Sequence, residues 1–337
     1  MIYQPGVDKL EHPANLAQYT TPGNPTWTRA RYNDSKRRRP QCIAHRGYRA
    51  KFPENTMPAF EGAVKAGAHA LETDVHITKD KIVVLSHDAT LKRCFGRSEK
   101  VIDLEYEEIA QHRTTAKPHV PMPRLKDLLE YLAQPGLEEI WLLLDIKLDN
   151  DADDIVRLIG ETIASVRPSS EQHPWSSRIV LGLWAAKYLP IAVRYLPGFP
   201  ITHIAFSPSY ARHFFDVPNV SFNALFPALI GPGGRKFLQD AQHEHDRQVY
   251  AWTVNDVEKM EWSIRRGLDG VCTDDVGMYM DICARFDDYR QERFLPLTPK
   301  QYWDVFRIWV WVSIAMLFFR RKLAPVASQT LIQRRAS

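Results

Sequence analysis

Cysteine is scarce: Cys42, Cys94, Cys272 and Cys283 are the only four in 337 residues. They show neither zinc-site pairing nor the density of a disulfide-stapled secreted scaffold, and a reducing cytosolic environment fits that usage. Strong charge of either sign is also missing. Lys+Arg 44 against Asp+Glu 40 leaves +4, with the excess near the two ends, too mild to imply a nucleic-acid partner. The first forty residues lack the apolar core of a signal peptide. What is present is ordinary globular composition, 45% hydrophobic and 25% charged, which excludes a wholly disordered chain, a collagen-like repeat and a polytopic membrane protein.

Three regions are expected. Residues 1–40 read as a flexible arm that closes on the basic run Lys36-Arg37-Arg38-Arg39, either a solvated linker cluster or an address for a nucleus or anionic lipid. Residues 41–281 alternate short apolar runs with segments of helical spacing. The candidate strands are Cys42–His45, Ala70–Val75, Ile140–Ile146, Ile179–Leu183, Thr202–Phe206, Val220–Ala224, Val249–Val254 and Gly270–Thr273. Helical spacing separates most of them, for example over Leu125–Leu132 and Ala152–Val166. Eight strands with intervening helices over this length predict an α/β fold, a (β/α)₈ TIM barrel. A further apolar run, Ile82–His87, follows the second strand after a linker too short for a parallel crossover, so it should fold back as a hairpin and carry His87 to the barrel's carboxyl end.

Residues 282–337 read as a linker, a hydrophobic C-terminal segment and a basic tail. Ile308–Phe319 is uncharged and followed by Arg320-Arg321-Lys322. As helix it would extend about 18 Å, short of the roughly 30 Å of bilayer hydrocarbon. An interfacial or partly inserted anchor is the expectation, with a terminal helix packed on the barrel as the alternative.

The chemistry gathers at strand ends. Glu72 and Asp74 lie two apart at the end of the second strand, on one face, where their mutual repulsion calls for a cation; Mg²⁺ or Ca²⁺ is the candidate. Asp145 offers a third oxygen ligand, and Lys147 beside it would meet a phosphate, damp the negative charge, or form a buried ion pair with Asp145. His45 and His87, from different elements on the same rim, suit general acid and base catalysis of phosphoryl transfer. Phe52, Phe206, Phe226 and Trp252 are candidates for lining an acyl-side cleft or for plain core.

Together His45-Arg46-Gly47, Pro53-Glu54-Asn55-Thr56, Glu72-x-Asp74, the Thr78-Lys79-Asp80 turn, His87-Asp88, Asp145-Ile-Lys147, Trp252-Thr253-Val254-Asn255 and Asp269-Gly270-x-x-Thr273-Asp274 resemble the glycerophosphodiester phosphodiesterase family, in order from about Gln41 to Val276. The resemblance implies a (β/α)₈ barrel and a phosphoric diester hydrolase. It makes His45 and His87 the acid/base pair, Glu72, Asp74 and Asp145 the ligands of a divalent cation, and Arg46 and Lys147 phosphate contacts, with Trp252 on the substrate. The family more often has glutamate where this chain has Asp145. The apolar tail narrows the likeness to the fungal phosphatidylglycerol-specific phospholipases C. The expected partners are then a glycerophospholipid and a membrane or lipid-droplet surface, with the protein cytosol-facing at the endoplasmic reticulum, a mitochondrion or a droplet. A diesterase for soluble deacylated glycerophosphodiesters, a cyclising phospholipase D-like enzyme and a membrane-tethered binding barrel are the alternatives.

Overall fold

A computed structural model describes residues 25–289 and 297–323, with side chains to residue 315. Its strands are β1 (Arg31–Tyr32), β2 (Arg38–Arg39), β3 (Gln41–His45), β4 (Ala70–Ile77), β5 (Val83–Leu85), β6 (Trp141–Ile146), β7 (Ile179–Leu183), β8 (Ile201–Ala205), β9 (Ser221–Leu225), β10 (Val249–Trp252) and β11 (Gly270–Thr273). In β3, β4 and β6 every residue is buried, because helices cover the outside of the sheet while the barrel interior covers the inside. This is why β6 reads as a near-continuous apolar run with no alternation up to Asp145. The strand order is β3, β11, β10, β9, β8, β7, β6, β4, and pairing of β3 with β4 closes the ring. All pairs in that ring are parallel, so the fold is a (β/α)₈ TIM barrel. The Ile82–His87 run folds back as expected: β5 pairs antiparallel with the end of β4, Val75 opposite Leu85.

Side chains of Ile43, Ala70, Trp141, Leu143, Val180, Tyr250 and Cys272 fill the barrel interior. The interior is therefore a packed core beneath the carboxyl rim. Between β5 and the helix Leu125–Leu132 the chain builds a small lobe with its own core of Val84, Leu91, Val101, Ile109 and Met122. It fixes the segment carrying His87.

The expectation of a flexible arm does not hold for residues 25–39. Residues 25–39 lie across the amino end of the barrel, where β1 pairs with β2 and Trp27 meets Trp141 edge-on with ring centroids 5.8 Å apart. Nor is the basic run a solvated cluster. Arg39 is buried, ion-paired with Asp288 at 2.8 Å and donating to the carbonyls of Cys283 and Phe286, while Arg38 pairs with Asp269 at 2.7 Å. A buried guanidinium keeps its charge only with such partners, and apolar periodicity carries no trace of a pairing 249 residues away. Arg39→Ala should lower stability by about 2 kcal/mol, read from chemical denaturation. The bond from Arg39 holds the Asp288 carboxyl below its ordinary value. Its stabilisation is present above the unfolded-state value and lost as pH falls through the folded one, so the gap between wild type and variant should narrow in acid to what the carbonyl bonds contribute.

The barrel also runs past the expected boundary at 281, since its last helix is Val276–Arg285. A C-terminal helix, Pro299–Leu323, follows. Among the described residues no helix is long and apolar enough to cross a membrane. This one packs on the barrel: Val305 is buried, Tyr302 joins the main core, and Gln301 donates to Glu258 at 3.4 Å. The expected arm residues 1–24 and basic tail residues 324–337 fall outside the described residues.

Candidate active site

The site is built from carboxyl ends of strands. His45 is the last residue of β3 and lies in register with Glu72 on β4. Beyond it Arg46 takes a left-handed backbone, φ 58°, unusual for a residue with a side chain. Two bonds hold it there: its N–H donates to Glu72 Oε2 at 2.9 Å, and its carbonyl accepts from the Asn55 N–H at 2.9 Å. Gly47 follows at φ 80°, where a Cβ would stand 2.7 Å from the backbone of Ala59, so no other residue fits the turn. The His-Arg-Gly sequence is thus the chain's way of ending a strand, reversing sharply, and leaving the imidazole at the rim.

Two residues along β4, Asp74 lies in register with Asp145 on β6. Oxygen atoms of Glu72, Asp74 and Asp145, all buried, lie within 4.8 Å of one another. That spread matches oxygens gathered at about 2.0–2.6 Å around a hard divalent cation. Lys147 lies between two of them, Nζ 2.7 Å from Asp74 Oδ1 and 2.7 Å from Asp145 Oδ2. Arg46 contacts Asp74 Oδ2 at 3.2 Å and Glu54 at 2.9 Å. Both bases therefore damp the acidic cluster, and Lys147 is the buried ion pair as well.

They do not damp it fully. Burial, reinforced by the carboxylates of Asp74 and Asp145, pushes the Glu72 carboxyl well above its ordinary value. Burial likewise raises Asp145, with Lys147 opposing. At Asp74 burial also works against ionisation, but Lys147 and Arg46 outweigh it and hold the carboxyl low. A cluster in which two of three carboxyls resist ionisation has room for further positive charge, and oxygen-only donors of this geometry suit a divalent ion.

Each histidine leans on a carboxylate. Nδ1 of His45 is 2.6 Å from Asp274 Oδ1, just past β11; Asp274 in turn accepts from Asn255 at 2.8 Å and from Arg49 at 3.3 Å. Nδ1 of His87 is 2.7 Å from Asp88 Oδ1, and Asp88 is tied by Arg93 at 2.7 Å. Arg93 also reaches Glu54 at 2.6 Å, linking the His87 lobe to the loop after β3. A carboxylate accepts only, so each Nδ1 carries the proton and each Nε2 is left for chemistry. Asp274 is half-buried, which raises its carboxyl, yet the His45 bond, with Arg49, outweighs this and keeps it below the ordinary range, so it accepts throughout neutral pH. Burial lowers His87 from the usual histidine value.

All eight expected residues, His45, His87, Arg46, Lys147, Trp252, Glu72, Asp74 and Asp145, line one cavity of about 90 Å³ at the barrel mouth. Of the aromatic candidates, Trp252 is on its wall and Phe206 is next to it, 6.1 Å from the Trp184 ring. Phe226 is wholly buried against Trp262, and Phe52 packs over Gly62. Those two are core. Sequence reasoning assigned no role to Trp184, whose Nε1 donates to Asp145 Oδ1 at 2.6 Å and whose ring lies over Lys147. Its position just past β7 was the available signal. Nor was Asp274 given a role, although it stands in the quoted Thr273-Asp274 motif.

Comparison with known proteins meets this geometry. The glycerophosphoryl diester phosphodiesterase family matches residues 45–278. Over 270 residues the chain is 30% identical to lysophospholipase D GDPD1 of Rattus norvegicus, covering 69% of this chain and 82% of the rat protein. It is 27% identical over 239 residues to the glycerophosphodiester phosphodiesterase of Bacillus altitudinis, covering 69% and 94%. The crystal structure of the Thermotoga maritima glycerophosphodiester phosphodiesterase superposes with a TM-score of 0.56 at 25% identity, over 72% of this chain and 98% of that one. An Oleispira antarctica phosphodiesterase in complex with its product sn-glycerol-3-phosphate superposes with a TM-score of 0.61 at 19% identity, over 72% and 96%.

Proposed function

The chain belongs to the glycerophosphoryl diester phosphodiesterase family, and from that premise we propose that this phosphoric diester hydrolase cleaves glycerophospholipids by two-histidine acid/base catalysis at a metal-assisted site. The supporting observation is the convergence of two His–Asp pairs and three buried carboxylates on one cavity. Glu72, Asp74 and Asp145 hold the ion in this reading. Bound there, Mg²⁺ or Ca²⁺ would supply a positive field for the charge that builds on the phosphoryl oxygens.

The residues of the chain do the rest. Among the described residues no serine or cysteine lining the cavity is paired with a base, Cys272 meeting only Asn223, which leaves the nucleophile to the substrate: a glycerol hydroxyl next to the phosphate. Nε2 of one histidine takes its proton as the oxygen attacks phosphorus, and the other histidine protonates the departing oxygen. A five-membered cyclic phosphate results. Water then opens it, with the two imidazoles exchanging roles, and the product is a phosphate monoester. In phosphatidylglycerol the head-group glycerol carries the attacking hydroxyl, so diacylglycerol leaves and the outcome is phospholipase C cleavage.

A second regiochemistry has its own support in the 30% identity to a rat lysophospholipase D. In a single-chain lysophospholipid the free hydroxyl of the acylated glycerol would attack, the head group would leave, and lysophosphatidate would remain. Contact with a lipid surface draws support from the C-terminal helix, which exposes Trp303, Phe306, Trp311 and Ile314.

The test is product identification by phosphorus NMR. Purified protein with Mg²⁺ or Ca²⁺ is offered phosphatidylglycerol, 1-acyl-lysophosphatidylcholine and glycerophosphocholine. Glycerol phosphate with diacylglycerol supports the first regiochemistry, and lysophosphatidate with choline supports the second. Turnover of glycerophosphocholine alone would remove lipid from the account, and turnover of none would end it.

A further inference from the structure

The C-terminal helix encloses space as well as packing on the barrel. Between it and the ends of β8 and β9 lies a second cavity of about 710 Å³, lined chiefly by Phe206, Leu225, Pro227, Ile308, Trp309 and Val312. The helix is seated by Trp309, which lies against Gly231; a Cβ at that glycine would stand 3.2 Å from the indole, so the close approach needs the missing side chain. Volumes of about 300–1,000 Å³ with mostly apolar walls are those of small-ligand sites.

This groove continues the catalytic cavity one step outward. Ile204 on β8 and Asn223 on β9 are register partners, and both line the catalytic cavity. Two residues further along each chain, on the same face, stand Phe206 and Leu225, which line the groove. The rings of Trp184 and Phe206 bridge the two spaces with centroids 6.1 Å apart, and Trp184 itself donates to Asp145. An apolar groove that opens beside phosphoester chemistry fits the apolar part of the same substrate.

We infer that the C-terminal helix is a specificity element: with the ends of β8 and β9 it forms an acyl-chain groove that takes one chain of the glycerophospholipid while its phosphate lies in the catalytic cavity. The inference rests on the phosphodiesterase reading and adds to it what binds the lipid chain. It also gives Ile308, Trp309 and Val312 of the apolar run a use on the barrel-facing side, which a membrane anchor would not.

Two substrates that differ only in the chain test it, 1-palmitoyl-lysophosphatidylglycerol below its micellar concentration and glycerophosphoglycerol, since both carry a hydroxyl beside the phosphate in either regiochemistry. Wild type should prefer the acylated compound by about 30-fold or more in kcat/KM, as burial of even a few methylenes is worth that much. Val312→Trp, which fills the groove, should cut the preference at least tenfold through the acylated compound alone. Val312→Ala, which widens it, should keep the preference. Calorimetric binding of dodecylphosphocholine supplies a readout free of turnover and should weaken at least tenfold in Val312→Trp. If wild type cleaves neither substrate yet binds the amphiphile in this groove-dependent way, the phosphodiesterase reading falls and the groove stands. Equal kcat/KM for both substrates, or amphiphile affinity unchanged by Val312→Trp, overturns the groove. So does loss of a dimer in sedimentation with unchanged affinity, which would assign the groove to a second copy of the chain.

Discussion

His45→Ala and His87→Ala should each lower kcat by about 10²–10⁴-fold, the range that a positioned general acid or base contributes. The two variants should be similarly impaired, because proton removal from the attacking hydroxyl and proton delivery to the leaving oxygen belong to one displacement, and losing either exposes the full cost of the uncatalysed transfer. The fold should survive both. His87 is at the rim with its Nδ1 on Asp88, and Asp88 keeps Arg93 when the imidazole goes. His45 is more buried, but its partner Asp274 keeps Asn255 and Arg49, so no carboxylate is left without a donor. Stability should therefore change by no more than about 1–2 kcal/mol. Steady-state rates with melting curves on the same preparations check both halves. Wild-type turnover by either variant would remove that histidine from the proton transfers.

The legible parts of this molecule were those in which local chemistry and position coincide. A strand buried on both faces is apolar wherever no partner satisfies a polar group, so a run such as Trp141–Leu144 is visible without context, and the charged residue that ends it, Asp145, marks the rim. The same reasoning exposes Glu72 and Asp74, since period-two spacing on a strand puts both on one side. His87 was reachable because a linker as short as Thr78–Lys81 forbids a parallel crossover. The missing pieces depend on long-range pairing. Asp274 lies 229 residues from His45, and Arg39 lies 249 from Asp288, distances over which no periodicity speaks. Trp184 is a single aromatic past a strand end, with nothing local to separate a hydrogen-bond donor from a core ring. The tail misled through its composition: a helix apolar on most sides fits a bilayer, a packed interface or the wall of a groove equally well, and it is the placement of Tyr302 and Val305 on the core and of Trp309 on Gly231 that distinguishes them.

Removing divalent metal should abolish turnover, to below about 1% of the starting rate, because the field that offsets charge on the reacting phosphoryl group is worth several kcal/mol. Lys147 and Arg46 cannot take over. Both already face Asp74, at 2.7 and 3.2 Å, and any movement toward a phosphate would leave a buried carboxylate uncompensated. Readdition of Mg²⁺ or Ca²⁺ should restore the rate, and the ion that restores it at the lower concentration is the one the site prefers. Asp74→Asn should not recover at any concentration. That position is in contact with both bases as well as belonging to the acidic triad, so neutralising it removes a ligand and frees the two cations to repel an incoming one.

The most direct measurement is calorimetric titration of chelator-stripped protein with Mg²⁺ and with Ca²⁺, in wild type and in Asp74→Asn. One saturable site in wild type, absent from the variant, is the result that a cation held by Glu72, Asp74 and Asp145 requires. No binding by wild type, or the same binding by both proteins, would contradict it.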